Sequence, residues 1–134
     1  METPQVILVV DDEPFVLGTV CNILSYAGYE VLSATGSQEA ISLATARTGP
    51  IHLLISDVVM PGLRGPELAD RLLELHPETR CLLMAGLPDE PQILSHVLGK
   101  GRGFLPKPFL PQTLINKVIE VLGGHPGRKA AAGG

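Results

Sequence analysis

Short apolar runs alternate with amphipathic segments along the chain, and this alternation predicts the fold. Residues 6–10 form a continuous run, V-I-L-V-V, which is typical of a parallel strand covered on both faces. Four further runs predict strands at residues 29–34, up to Asp57, at residues 81–85 and around Phe104-Leu105. Between and after these runs, apolar residues recur at helical spacing and predict five helices.

Proline and glycine mark where these predicted elements begin and end. Pro14, Pro66 and Pro111 stand where the first turn of a helix tolerates a missing N–H group. Gly28 is a natural helix stop. The segment Pro106-Lys107-Pro108 is expected to break the fifth strand.

The alternation of strands and helices predicts an α/β domain with helices on both faces of a parallel sheet. One strand order of the doubly wound class, 2-1-3-4-5, places strand one beside strand three. We therefore expect a doubly wound five-stranded parallel sheet flanked by five helices, the fourth of them near residues 93–98. The length of 134 residues fits one domain. We assign residues 1–123 to it and the small polar segment 124–134 to a disordered tail or linker.

Acidic residues follow two of the predicted strands. Asp11 and Asp12 come after the first strand and Asp57 ends the third, so the predicted order brings them together, with Lys107 approaching from strand five. Three ionised carboxylates in one small site need a positive charge between them. Mg²⁺ prefers such oxygen ligands. With a lysine, this set fits phosphoryl chemistry in which one carboxylate acts as the nucleophile.

Each of these signals also has a plain structural interpretation. An acidic pair before a helix often only caps its N-terminus and compensates its dipole. An aspartate after a strand often forms a turn, and a single lysine before a proline is usually solvated. The joint placement of these residues at one edge of the sheet favours the functional interpretation.

Composition and charge restrict the remaining classes of function. A net charge of −4 and a pI near 5.5 argue against a nucleic-acid-binding surface. No apolar run approaches the roughly 20 residues of a membrane span, and the start M-E-T-P-Q does not resemble a signal peptide. Cys21 and Cys81 lack metal-site spacing and fit free thiols in a reducing compartment. We therefore expect a cytoplasmic protein. The four histidines fit no ligand spacing.

Four stretches in this order resemble a response-regulator receiver domain of two-component signal transduction: V-I-L-V-V-D-D-E, G-Y-E-V, L-L-I-S-D-V-V-M-P-G-L-R-G and G-F-L-P-K-P-F. The resemblance covers about residues 6–122. It implies a flavodoxin-like fold and a part in a phosphorelay. In such relays a histidine kinase or histidine phosphotransfer protein donates a phosphoryl group from a phosphohistidine to the domain. The resemblance implies a signalling domain rather than an enzyme.

The same resemblance implies roles for individual residues. Asp57 matches the phosphoacceptor and Lys107 the phosphate-binding lysine, and the Lys107–Pro108 peptide bond is expected to be cis. The implied Mg²⁺ ligands are Asp57, Asp12 directly, Asp11 partly through water, and the backbone carbonyl of Val59.

Ala85 departs from the family pattern, since family members usually carry Thr or Ser there. That hydroxyl normally hydrogen-bonds the phosphoryl group while an aromatic residue, here Phe104, turns toward it. Losing one charge-assisted hydrogen bond costs about 1.5–3 kcal/mol of coupling. We expect phosphoryl acceptance to survive and switching to be weaker. In the alternative, the Gly86 amide or a water replaces the missing hydroxyl, and switching is as in other family members. The position of Phe104 also fits a residue that only packs in the core of the strand.

Val59 and Leu87 match the positions that flank the phosphoryl group in the family. Neither side chain orients an attacking water, and such help is worth about 10²-fold or more in rate. We therefore expect the aspartyl phosphate to hydrolyse slowly.

The output surface of the family is usually the face of helix four, strand five and helix five, here about residues 90–122.

Two other functions stay open. One is a degenerate receiver that acts as a phosphorylation-independent scaffold. The other is a metal-dependent phosphohydrolase with an aspartyl nucleophile, which normally has a D-x-D pattern after the first strand and a cap insertion. This chain has D-D-E there and no room for a cap. A single-domain regulator and a receiver cut from a hybrid kinase are both compatible with the sequence.

Overall fold

Five parallel strands form the centre of the structure, a computed structural model that describes residues 3–58, 64–86 and 103–123. The strands are β1 (Val6–Val10), β2 (Glu30–Ala34), β3 (Leu53–Asp57), β4 (Arg80–Gly86) and β5 (Gly103–Lys107). Every neighbouring pair is parallel. Their order is β2-β1-β3-β4-β5, which confirms the predicted sheet.

Four helices belong to the described residues: α1 (Pro14–Tyr26), α2 (Ser37–Ala46), α3 (Gly65–Leu75) and α4 (Pro111–Val121). Helix α4 corresponds to the fifth predicted helix, and the fourth predicted helix lies outside the described residues. Helices α1, α3 and α4 each have a proline at the first or second position, as the sequence predicted. Gly28 and Gly123 follow helix ends with φ of 104° and 80°, the left-handed conformation that glycine adopts without steric cost.

The sheet separates two apolar cores. Alternate strand residues point to opposite faces, so Ile7 and Val9 pack with α1 and α4 whereas Leu8 and Val10 pack with α2 and α3. All five residues of β1 are buried, as expected for a central strand covered on both sides. The two cores hold the strand ends at fixed positions, and these ends carry the site described below.

The fifth strand ends within the segment Pro106-Lys107-Pro108, as predicted, but after Lys107 rather than at Pro106. Strand β5 continues through Pro106 to Lys107, with Pro106 in register with Ala85 and Lys107 with Gly86. A proline is tolerated there because β5 is an edge strand of the described sheet. The longer strand carries Lys107 to the carboxyl edge. Among the described residues, no helix is both long and apolar enough to cross a membrane.

Candidate functional site

The carboxyl ends of β1 and β3 bring three aspartates together. Asp11 and Asp12 follow β1 directly, and Asp57 is the last residue of β3. The two strands are neighbours, with Val10 aligned to Ser56. One carboxylate oxygen from each aspartate lies within 4.8 Å of the others. The convergence predicted from the strand order is therefore present in the structure.

The three carboxylates differ in their exposure to water. Asp11 is fully buried, and its Oδ1 accepts a hydrogen bond of 2.9 Å from the backbone N–H of Glu13. The backbone N–H of Asp11 in turn donates to the carbonyl of Ala34 on β2, at 3.2 Å. The Asp57 side chain retains 15% of its exposure, and Asp12 is exposed. The site is thus a pocket with a buried acid at its base and an open acid at its rim.

Lys107 supplies the positive charge of this pocket. Its Nζ lies 3.3 Å from Asp11 Oδ2 and 3.2 Å from Asp57 Oδ2. Partial burial acts to lower the pKa of Lys107, but the charges of Asp11 and Asp57 and their hydrogen bonds to the ammonium outweigh it, so the pKa is raised above its usual value. The lysine therefore stays charged at neutral pH.

The charge balance of the pocket favours a further cation. When all are ionised, the three carboxylates and one ammonium leave an excess of two negative charges. The carboxylates offer hard oxygen donors, and Asp12 and Asp57 are reached from solvent. This donor set fits Mg²⁺, which binds a few carboxylates and retains several waters.

The remaining predicted site residues lie on β4, on β5 and outside the described residues. Ala85 is buried on β4, one residue after Met84, which is in register with Asp57. Phe104 is half-buried on β5 and packs against the core that contains Ala85. The Lys107–Pro108 peptide bond is cis. Val59, the implied carbonyl ligand, and Leu87 lie outside the described residues.

Sequence reasoning did not single out two residues that contact the Asp57 backbone. Ser56 is fully buried and its hydroxyl donates to the Asp57 carbonyl at 2.9 Å. Gly65 at the start of α3 lies against the same carbonyl. Their positions in the sequence could have indicated this contact, because Ser56 directly precedes Asp57 and Gly65 lies at the start of the helix that follows.

A family comparison decides the class of this site. The family model for the response regulator receiver domain matches residues 7–119. The chain belongs to this family. Receiver domains are signalling modules of two-component systems, so the sequence resemblance is confirmed at the level of the family.

Proteins of different length are similar to this receiver domain. It is 32% identical to the sensor kinase CckA of Brucella abortus over 116 residues, 87% of this chain and 12% of the kinase. It is also 32% identical to the protein PilH of Pseudomonas aeruginosa over 121 residues, 88% of this chain and 98% of PilH. The structure of the Vibrio cholerae chemotaxis protein CheY4 matches with a TM-score of 0.79 and 30% identity, over 89% of this chain and 99% of that one. The chain thus spans a small part of one relative and nearly all of the other two.

Proposed function

We propose that this receiver domain accepts a phosphoryl group from a phosphohistidine onto Asp57. The observation that carries the proposal is the position of the Lys107 ammonium, 3.2 Å from Asp57 and 3.3 Å from Asp11, at the sheet edge where the aspartates converge. In the transfer, an Asp57 oxygen bonds to phosphorus while the P–N bond breaks and the donor imidazole takes up a proton. Lys107 lies where it offsets charge on the transferring oxygens.

Mg²⁺ is the cofactor that we propose for this reaction. Asp11, Asp12 and Asp57 would hold it, together with the Val59 carbonyl that the family resemblance implies. When bound, the ion neutralises negative charge on the phosphoryl oxygens. The chain's own part is to keep the three acids converged and the nucleophile beside the Lys107 ammonium.

Mass spectrometry after incubation with Mg²⁺ and phosphoramidate tests the proposal, because this small donor has the P–N bond of a phosphohistidine. We expect the protein to gain one phosphoryl group and Asp57→Asn to gain none. Asp70→Asn serves as the matched control, since Asp70 is an exposed acid on α3, and it should gain the group normally. Failure of the unmodified protein to gain the group, with Mg²⁺ binding established, would favour the scaffold alternative. Turnover of a phosphate ester would favour the phosphohydrolase.

Two exposed apolar side chains support a protein as the phosphoryl donor. Phe15 in the first turn of α1 is 83% exposed, and Leu110 before α4 is 72% exposed. They follow Asp12 and Lys107 by three residues each, at the edge that holds the pocket. We propose that a histidine kinase or histidine phosphotransfer protein covers them during transfer. Phe15→Ala should slow transfer from a phosphorylated protein donor and leave transfer from phosphoramidate unchanged; equal slowing of both would contradict this.

Weakened switching is proposed from the buried methyl of Ala85. Without a hydroxyl, this position offers the phosphoryl group no hydrogen bond, so phosphorylation pulls less strongly on the chain around β4. Ala85→Thr should enlarge the NMR shift differences between the free and phosphorylated states. Ala85→Val is the matched control because valine has the shape of threonine without its hydroxyl. Equal differences in all three proteins would overturn the proposal.

Slow hydrolysis of the aspartyl phosphate is proposed from the residue types of Val59 and Leu87, neither of which positions a water. Mass spectrometry over time after removal of the donor measures the lifetime. A half-life of seconds would contradict the proposal.

The output of this signalling domain is proposed to pass to a downstream protein through the face formed by residues 90–122. Strand β5 and helix α4 are the described parts of that face. NMR mapping with a candidate target would place shift changes on α4 if this output face is used, and on another face if it is not.

A cytoplasmic location is also proposed. The described cysteines are both free thiols, which supports it.

A further inference from the structure

The backbone carbonyl of Asp57 lies in a tightly filled space beside α3. A Cβ atom placed on Gly65 would lie 2.5 Å from the carbonyl oxygen of Asp57 and 3.0 Å from Cα of Val58. The first distance is too short for a real Cβ atom unless the backbone moves, and the second is tighter than most real Cβ contacts. Gly65 does not adopt a left-handed φ. Space, rather than backbone conformation, therefore requires glycine at this position.

Three hydrogen bonds hold the same short stretch of backbone. The Ser56 hydroxyl donates to the Asp57 carbonyl at 2.9 Å, and Gly65 N–H donates to the Val58 carbonyl at 3.0 Å. On the other side, Val58 N–H donates to the carbonyl of Met84 on β4 at 2.8 Å. The Asp57 carbonyl is thus bounded by a buried hydroxyl and by the bare Cα of a glycine.

A methyl group added at Gly65 would meet backbone atoms rather than a side chain that can move aside. Helix α3 is held by Leu68, Ala69 and Leu72, each at most 1% exposed. The opposing atoms belong to the backbone that carries Asp57, not to the end of a flexible side chain. Relief of the clash therefore shifts either the start of α3 or Asp57 itself. If Asp57 shifts, its carboxylate, which lies 3.2 Å from Lys107 Nζ, shifts with it.

We propose that Gly65 and Ser56 are positioning residues that set the Asp57 carboxylate against Asp11 and Lys107. This inference rests on the proposed function of Asp57 as phosphoacceptor. Neither residue touches the transferring group, because both act through the Asp57 backbone. A misplacement of about 1 Å at a reacting centre costs on the order of 10²-fold in rate, so even a partial shift should be measurable.

The chain offers two matched glycine controls. A Cβ atom on Gly103 would lie 2.6 Å from Cγ2 of Val121 and 3.1 Å from Cδ1 of Leu82, which are core side chains. Gly103→Ala therefore strains the fold away from the Asp57 backbone. A Cβ atom on Gly18 of α1 would have no atom of another residue within 4 Å, apart from its own helix backbone and chain neighbours. Gly18→Ala therefore controls for the substitution alone.

The experiment compares Gly65→Ala, Ser56→Ala, Gly103→Ala and Gly18→Ala with the unmodified full chain. Urea unfolding gives their stability, NMR titration with MgCl₂ gives the ion's dissociation constant, and mass spectrometry gives the rate of phosphoryl gain from phosphoramidate. We expect Gly65→Ala to weaken Mg²⁺ binding and slow phosphoryl gain by about tenfold or more. Ser56→Ala should show a smaller change in the same direction. Gly103→Ala should lose stability but keep the rate and the Mg²⁺ affinity.

Three outcomes would overturn the inference alone. The first is a folded Gly65→Ala protein whose phosphorylation rate and Mg²⁺ affinity are unchanged. The second is a Gly103→Ala protein of matched stability that loses as much rate and affinity as Gly65→Ala. The third applies if Gly65→Ala does not fold, and is an unchanged rate and affinity in Ser56→Ala. Failure of the unmodified chain to gain a phosphoryl group is a different result. It would overturn the proposed function, and this inference with it.

Discussion

The two edges of the sheet use polar side chains in opposite ways. At the carboxyl edge, Asp11, Asp57 and Lys107 face one another across a pocket. At the amino edge, polar side chains bond to backbone groups instead. His76 Nε2 lies 2.8 Å from the carbonyl of Ala44, and the Thr79 hydroxyl donates to the carbonyl of Ile51 at 2.6 Å.

This difference separates stability from chemistry within one small domain. The last carbonyls of a helix have no partner within the helix, and His76 donates to one of them at the end of α2. Arg80 likewise donates to the carbonyl of Val121 at the end of α4, at 3.0 Å. Such bonds satisfy backbone carbonyls at the ends of α2 and α4. The carboxyl edge, in contrast, combines three carboxylates with the single ammonium of Lys107 in the part of the chain that the structure describes. Changes at the two edges should therefore have different consequences.

The largest expected effect follows removal of the positive charge from the pocket. Lys107→Met should slow phosphoryl gain from phosphoramidate by on the order of 10²-fold or more, because an oriented cation at the transferring oxygens is lost. Without Mg²⁺ the variant should also be less stable, since buried Asp11 loses its counter-charge. Lys117→Met is the matched control because Lys117 pairs with Glu120 on α4. An unchanged rate for Lys107→Met would remove the lysine from the chemistry.

A comparable effect is expected when Mg²⁺ is added or removed. At a concentration 100 times its dissociation constant, an ion that binds only the folded state stabilises it by about 2.7 kcal/mol. Thermal unfolding with MgCl₂ and with EDTA measures the gain. Asp12→Asn should reduce it strongly, whereas Glu13→Gln, a change at the neighbouring exposed acid, should preserve it. Equal gains in both variants would place the ion elsewhere.

At the amino edge, His76→Leu should reduce stability and leave function intact. The buried carbonyl of Ala44 would lose its donor, at a cost of about 1–3 kcal/mol in the free energy of unfolding. Urea unfolding measures the loss, and the rate of phosphoryl gain should not change. A decrease in that rate at full folding would show that the two edges are coupled.

The smallest expected effect concerns Glu78, whose side chain is 48% exposed. A hydrogen bond from its own backbone amide lowers the pKa of Glu78, burial opposes this, and a hydrogen bond with His76 lowers the pKa further. A carboxyl group with a lowered folded-state pKa stabilises the fold above its usual pKa, and this contribution is lost as the pH falls through the folded-state value. Glu78→Gln should therefore be slightly less stable than the unmodified protein near neutral pH and equally stable in acid. Glu74→Gln, at an exposed surface pair, should show no such difference.

Local sequence patterns were sufficient for the sheet and for the meeting of its charged residues. Local sequence determines the apolar run of β1 and the prolines that begin α1, α3 and α4. The strand order then brings together the charged residues Asp11, Asp12, Asp57 and Lys107 at one edge. The convergence was thus predictable from strand ends and topology. The residues' chemical roles remain proposals.

What the sequence did not predict depends on contacts between distant segments. His76 lies 32 residues from the carbonyl that it contacts, and its spacing to other histidines carries no information about that contact. The close approach of Gly65 to Asp57 depends on how α3 packs. Strand β5 extends through Pro106, beyond its predicted core at Phe104-Leu105, and its edge position in the predicted order 2-1-3-4-5 permits this.

Pro106 also limits how another protein can attach to this side of the domain. Within a sheet, proline is confined to edge positions whose nitrogen faces away from the ladder, so the border of β5 that pairs with no other described strand lacks one donor in its row. An extended peptide that adds itself as a sixth strand would meet a gap in that row. A target on this face would be recognised by side chains or by a docked helix, and the same gap guards the domain against edge-to-edge aggregation.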